Sequence, residues 1–373
     1  MRARTCTVSR LEGTVDARLC AANGNIPGEA MAALQFGIFD QNDHGRYPLT
    51  EQYDKRLALI EAYDRAGFRT YHMSEHHSTP LNLTPSPSVF LAAVAQRTRR
   101  IRFGALVYVL PAHHPLRLAE EICMLDHLSH GRLEVGIGRG ASPHELNYFG
   151  VDAELAPAIY VEAYQVIMQA LTRDEVNFSG KHYQFAKVPI DMKPAQLPHP
   201  PLWYAVPVPE GAAWPAQNAI NIVCGGPLPR VREITDRFSA EWAAAGNPPE
   251  RLPLMGINRF VIAADSDREA MALGRRAWPS FHKSFMKLWK LHGTQPRFAR
   301  LPEDFDTLVE HGGAIAGSPG TIADRVRAMT DEAGANYFIS QFSFGDLTQE
   351  EALHSVDIFA REMMPRERVA QAV

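Results

Sequence analysis

From residue 34 onward the chain alternates two patterns of apolar positions. Short runs rich in β-branched and aromatic residues are followed by longer stretches in which apolar residues recur every three or four positions, the spacings of strand and helix. "LQFGIFD" predicts a first strand. The stretch after it predicts a helix capped by Thr50, with Leu57, Ile60, Tyr63 and Asp64 continuing to a stop at Gly67. "RTYHMSE" predicts a second strand and "PSVFLAAVAQRT" a helix opened by its proline, which fits the first turn because no N–H is needed there. "IRFGALVYVL" is apolar without alternation, as suits a parallel strand covered on both faces. A third helix is expected from Pro115 through Leu118, Ile122, Leu125 and Leu128 to a stop at Gly131.

Five further strand candidates, "RLEVGIG", "PLWYAV", "AINIVC", "LMGINRFVIAA" and "NYFISQFSF", each lead into a helical segment and bring the total to eight. Eight strand–helix units predict an α/β protein built as a single (β/α)8 TIM barrel, with its chemistry on the loops that follow the strands' C-terminal ends. Two stretches exceed the bare repeat, about 173–200 after the fourth strand and about 279–317 after the seventh. Insertions of that length serve as lids or substrate walls, or are plain surface excursions. Residues 1–33 are arginine-rich, contain Glu12 and Asp16, and lack the continuous apolar centre of a secretory signal. They are expected to be a disordered leader, or an upstream start with Met31 as the working one, ahead of a barrel at 34–365 and a tail at 366–373.

Composition narrows the partners. With 46% hydrophobic and 21% charged residues over 373 positions, the chain can bury a large core and shows no disordered or collagen-like bias. A net charge of -4 argues against nucleic acid, whose phosphates call for a clear Lys/Arg excess, and favours a small-molecule partner. Cys6, Cys20, Cys123 and Cys224 form no CxxC pair and no metal-ligand spacing, which fits a reducing, cytoplasmic setting. No apolar run approaches the roughly 20 residues of a membrane span.

Chemistry concentrates after three strands. "SEHHSTP" follows the second, so barrel geometry sets Glu75, His76 and His77 on the face that carries active sites; a solvated loop pair is the plain alternative. "LPAHHPLR" adds a second histidine pair after the third strand. The fourth strand ends in "GIGRGASPHE", where Ser142, Pro143 and Glu145 predict a capping box and a helix start. Arg139, Gly140 and Ala141 lie just before it. An arginine, glycines that admit a ligand and free helical N–H groups suit a phosphate; a tight turn with a surface arginine is the alternative. Gly136, Gly138 and Ala141 also satisfy GxGxxA, but that dinucleotide fingerprint should follow a first strand, not a fourth. HExxH, Walker, GxSxG and HxH motifs are absent from the sequence, and no metal ligands are assigned, although fifteen histidines leave a scattered metal site open.

"EHHSTP", "GALVYVLPAHHPLRLAEEICMLDHLSHGRLEVGIGRG" and "GSPGTIADRVRAMTDEAGANYFISQFSFGDL" together resemble the bacterial luciferase-like flavin monooxygenases over about residues 34–365. The resemblance implies a reaction in which reduced FMN (FMNH2) from a separate NAD(P)H:flavin reductase meets O2. A C4a-peroxyflavin then oxidises a small, carbonyl-containing organic substrate. It puts His76 beside the reactive flavin face, with His77 and Glu75 next to it, and gives Arg139 the FMN phosphate. It further implies a cis peptide at Leu106–Val107 under the ring, phosphate contacts from the loop after the fifth strand, and a homodimer. That loop departs from the pattern. Where the luciferase subunit has an acidic and a hydroxyl residue, this chain has Pro207 and Val208, ahead of Gly211; proline has no N–H and valine no hydroxyl to offer a phosphate. Gly138 stands where luciferase has a cysteine. An F420-dependent oxidoreductase on the same barrel and a noncatalytic flavin-binding subunit remain the alternatives.

Overall fold

The computed structural model describes residues 34–296 and 301–364. The expected leader at 1–33 and tail at 366–373 lie outside the described residues. All eight predicted strands form. β1 (Gln35–Asp40) leads into α1 (Leu49–Ala66) and β2 (Thr70–Met73) into α2 (Pro87–Arg97). The third barrel strand comes in two pieces, β3 (Arg102–Ala105) and β4 (Tyr108–Val109), and leads into α3 (Pro115–Leu128). β5 (Val135–Gly138) is followed by α4 (Pro143–Tyr148), α5 (Ala156–Thr172) and an antiparallel hairpin of β6 (Glu175–Ser179) and β7 (Gln184–Pro189). β8 (Leu202–Ala205) precedes α6 (Ala213–Gln217), and β9 (Asn221–Cys224) precedes α7 (Leu228–Ala244). After β10 (Met255–Ala263) come α8 (Asp267–Phe285), α9 (Lys287–Leu291), α10 (Phe305–Glu310), β11 (Ala314–Gly317) and α11 (Pro319–Ala333). β12 (Tyr337–Gln341) and α12 (Gln349–Met363) close the series.

The strands run in the order β3-β2-β1-β12-β10-β9-β8-β5-β4, and every pairing along that path is parallel. A bridge between Phe103 and Leu133 joins the two ends, so the sheet closes as a TIM barrel. β11 lies outside the eight, alongside the second half of β10. The hairpin follows the fourth barrel strand and the α8–β11 segment the seventh, where the sequence pattern exceeds its repeat.

Some local expectations are corrected. α1 starts before Thr50, with Pro48 at its N-cap and no side-chain cap, so Thr50 is a first-turn residue. Gly67 does stop that helix, at a φ of 89°. α3 ends at Leu128 rather than at Gly131, because His130 and Gly131 both adopt positive φ and turn the chain toward β5. The second insertion does not begin at residue 279: Pro279 is interior to α8, which continues to Phe285.

The main core fills the space between the barrel and its helices, with residues such as Ile38, Tyr71, Phe103, Ile137, Ile257 and Phe338. Inside the barrel, Leu106, Trp203, Leu254, Tyr337 and Ile339 form a smaller cluster. Its polar neighbour is Glu134, fully buried, which accepts from Arg69, Arg102, Thr70 and Trp203 at 2.6–3.3 Å. A third cluster sits under the second insertion, where Trp278 and Phe281 of α8 pack with Phe260, Phe305, Phe344 and Leu81. No helix among the described residues is long and apolar enough to cross a membrane.

Candidate active site

Glu75, His76 and His77 occupy the turn after β2, with Ser78 at a φ of 56° reversing the chain behind them. Glu75 is 4% exposed and both of its oxygens are occupied. Oε1 takes His77 Nε2 at 2.8 Å and His113 Nε2 at 2.9 Å, while Oε2 takes the Val109 N–H at 2.9 Å and His113 Nε2 at 3.0 Å. Burial alone would raise this carboxyl, but the His113 and His77 hydrogen bonds, the His113 charge and the Val109 N–H outweigh it and bring it down to about 2. Burial disfavours a proton on His113, and the Glu75 hydrogen bond and charge overcome that and raise its imidazole above the ordinary range. Through these bonds Glu75 sews the turn after β2 to the strand end at β4.

The two histidines are held differently. His77 gives its Nε2 to Glu75 and lays its ring edge-on to Phe149, centroids 4.5 Å apart. His76 contacts the carboxylate of Glu145 through Nδ1 at 3.2 Å, and the other Glu145 oxygen accepts the His77 backbone N–H at 2.7 Å. The His76 side chain keeps 20% of its surface open.

That use of Glu145 corrects the expected capping box. Ser142 Oγ does accept the Glu145 N–H, at 3.4 Å, but the reciprocal half is replaced by the bonds to residues 76 and 77. α4 itself has only six residues, so its end supplies a much weaker dipole than a full helix would. His76, His77, Glu75, Gly140, Ala141 and Glu145 line one cleft.

Beneath it, the Leu106–Val107 peptide is cis, as the resemblance implies, and separates β3 from β4. A Cβ at Gly138 would come within 2.3 Å of Val107 Cγ2, so the neighbouring strand can pass this bulge only as glycine. The substitution of glycine for the luciferase cysteine thus has a steric basis in this chain.

Arg139 follows Gly138 and is exposed, with no hydrogen bond or ion pair among the described residues. β5 pairs with β8, so the loop carrying Pro207, Val208 and Gly211 is the next one round the barrel. It forms a single 3-10 turn, Pro209–Ala212, closed by the Gly211 N–H to Val208 O at 3.0 Å. None of these three lines the histidine cleft. The chemistry of these residues fits a phosphate-bearing flavin: an unpaired guanidinium and the positive-φ Gly140 suit a phosphate, and the turn after β2 presents a histidine with an anchored ring. Among the described residues, no group of three or more His, Cys, Asp or Glu is placed to hold a metal ion.

The sequence reading passed over two contributors. Glu145 was visible only as a cap, and His113 only as half of a loop pair, because their partners lie 68–69 and 38 positions away along the chain.

Comparison with known proteins follows the same outline. The chain is 40% identical to the uncharacterised protein y4wF of Sinorhizobium fredii over 89% of this chain and 97% of that one. It is 30% identical to the oxygenase component of the flavin-dependent trigonelline monooxygenase of Acinetobacter baylyi, over 64% of this chain and 67% of that one. Among solved structures, the oxygenating constituent of 3,6-diketocamphane monooxygenase from the CAM plasmid of Pseudomonas putida, in complex with FMN, superposes with a TM-score of 0.75. That match has 21% identity and covers 90% of this chain and 99% of the other. With residues 34–337 matching the model of the luciferase-like monooxygenases, the barrel and its histidine turn belong to a member of that family.

Proposed function

We propose that the protein is the oxygenase component of a two-component monooxygenase, which takes reduced FMN from a separate reductase and uses O2 to oxidise a small, carbonyl-containing substrate. The observation that carries this reading is the His76–Glu145 contact at the rim of the cleft, with the unpaired Arg139 on the same β5–α4 connection that delivers Glu145. Two of the compared proteins support it, a relative that is an oxygenase component and a structural neighbour solved with FMN. When bound, reduced FMN supplies the electrons that let one oxygen atom of O2 enter the substrate while the other leaves as water.

The chain's own residues divide the remaining work. Arg139 binds the phosphate and so fixes how deep the cofactor sits. Glu145 accepts a hydrogen bond from His76 Nδ1 and thereby leaves Nε2 as the ring nitrogen for hydrogen bonding or proton exchange with the reactants. Glu75, with its oxygens occupied by His77, His113 and Val109, is a positioning residue: it keeps His77 out of the chemistry and the turn rigid. Val109, Leu146 and Phe149 wall the cleft with apolar surface and exclude water from the reacting atoms.

The test is product formation from a panel of ketones and aldehydes under 18O-labelled O2, with chemically reduced FMN and, separately, with reduced F420. Label in the product with FMN supports the reading. Hydride transfer with F420 and no label in any product refutes it. Arg139→Ala separates binding from chemistry. Losing one charge-assisted phosphate contact should weaken reduced-FMN affinity by roughly ten- to a hundredfold and leave turnover at saturating flavin near wild type. Unchanged affinity, measured by anaerobic titration, removes Arg139 from the cofactor site.

A further inference from the structure

Tyr160, in the second turn of α5, is 7% exposed, and its hydroxyl is buried without a hydrogen-bond partner among the described residues. Buried hydroxyls are nearly always paired, so an orphan of this kind marks a missing partner. Its surroundings describe what that partner is. The ring lies 6.5 Å from that of Tyr204 on β8, the strand that feeds the Pro207–Gly211 loop. Burial, then Tyr204 and Tyr164, push the phenol well above its ordinary range, and the nearby Arg139 charge pulls the other way. The hydroxyl therefore keeps its proton throughout the physiological range and is available as a donor.

Two donors, one of them cationic, with no carboxylate paired to either, complement an anion with several acceptor oxygens. The loop beyond offers few rivals, since Pro207 lacks an N–H and the Gly211 N–H is already bonded to Val208 O. We propose that Tyr160 donates its hydroxyl to the terminal phosphate of the flavin beside Arg139, in place of the side-chain donors that Pro207, Val208 and Gly211 cannot supply. This inference rests on the flavin reading above and assigns a specific residue to it.

Tyr160→Phe removes one oxygen and little else. The full-length chain and this variant are titrated anaerobically with dithionite-reduced FMN and with reduced riboflavin, which lacks the phosphate. Wild type is expected to prefer FMN. In the variant the FMN affinity falls by roughly ten- to a hundredfold while riboflavin affinity is unchanged, so the preference collapses. Thermal melts of the ligand-free proteins provide a second readout. Deleting an unpaired buried hydroxyl leaves the melting temperature the same or higher, whereas deleting one bonded within the fold lowers it. A variant that keeps the wild-type FMN-to-riboflavin ratio, or a wild type that binds both equally, overturns the role of Tyr160 and leaves the flavin reading intact. A wild type that binds neither flavin overturns both. A ligand-free variant that melts well below wild type shows the hydroxyl to be structural and sinks the proposal.

Discussion

His76→Ala is expected to lose roughly 10² to 10⁴ in turnover at saturating reduced flavin, the range in which a positioned acid or base usually contributes. The expectation rests on the way the ring is held. Its Nδ1 is engaged by Glu145 and its neighbour His77 is bound to Glu75, so no second imidazole stands ready to replace it. The His113 imidazole is paired with Glu75 as well, at 2.9 Å. Affinity for reduced FMN should stay near wild type, because the phosphate contact proposed for Arg139 is untouched. With proton transfer impaired but O2 still reacting, more of the consumed oxygen should appear as H2O2 and less as product. Parallel assays of substrate oxidation and peroxide release check both halves. A variant that oxidises substrate at the wild-type rate would make residues 76 and 77 a loop pair with no part in the reaction.

The second large effect is on stability. Glu134→Ala should destabilise the fold by about 3–5 kcal/mol, the usual result of removing one partner from a buried ionic group. The carboxylate is fully buried inside the barrel, and its loss leaves Arg69 and Arg102 facing each other without a counter-charge while Trp203 loses its acceptor. Equilibrium urea unfolding reads the change directly as a lower midpoint at similar slope. The pH dependence carries a defined sign. Burial would raise this carboxyl, but Arg69 and Arg102 foremost bring it from 4.5 to about 2 in the folded state. Its folded value is therefore the lower one, so its stabilisation is present above pH 4.5 and is lost as pH falls through about 2. The gap between wild type and variant should narrow over that interval. A gap that is constant, or that is small at pH 7, would show that the two arginines reach solvent instead.

The barrel was legible because its signal is local and repeated. Each strand announces itself within a few residues by its apolar run, as "IRFGALVYVL" and "LMGINRFVIAA" do, and the closure of eight units follows from their count. Glycine stops such as Gly67 were legible for the same reason, since a positive φ at a helix end is a property of a few consecutive residues. The position of Arg139 on the loop after the fourth strand came through because a glycine-flanked arginine at a strand end is a short-range pattern. What the sequence hid depends on pairing across the barrel. Glu145 has every mark of a helix cap, and only the folding of α4 over the turn after β2 diverts its carboxylate to His76 and His77. Glu134 reads as an ordinary polar residue in "RLEVGIG", and its role emerges only when Arg69 just ahead of β2, Arg102 of β3 and Trp203 of β8 converge on it. Tyr160 carried no motif at all; its hydroxyl is informative only through the absence of a partner among the described residues.

The chain order of these parts has a combinatorial consequence. Glu75, His76, His77, Arg139, Glu145 and Tyr160 come from one unbroken stretch between β2 and α5. The aromatic cluster under α8 is drawn from β10 onward, apart from Leu81, its only buried member from the earlier stretch among the described residues. The hairpin of β6 and β7 falls between the two sets. A genetic crossover at that hairpin would therefore exchange one wall of the barrel mouth whole while inheriting the histidine turn intact. The seam to be rematched would include Leu81, the β1–β12 and β5–β8 strand pairings and the Trp203–Glu134 bond, all of which cross the same divide.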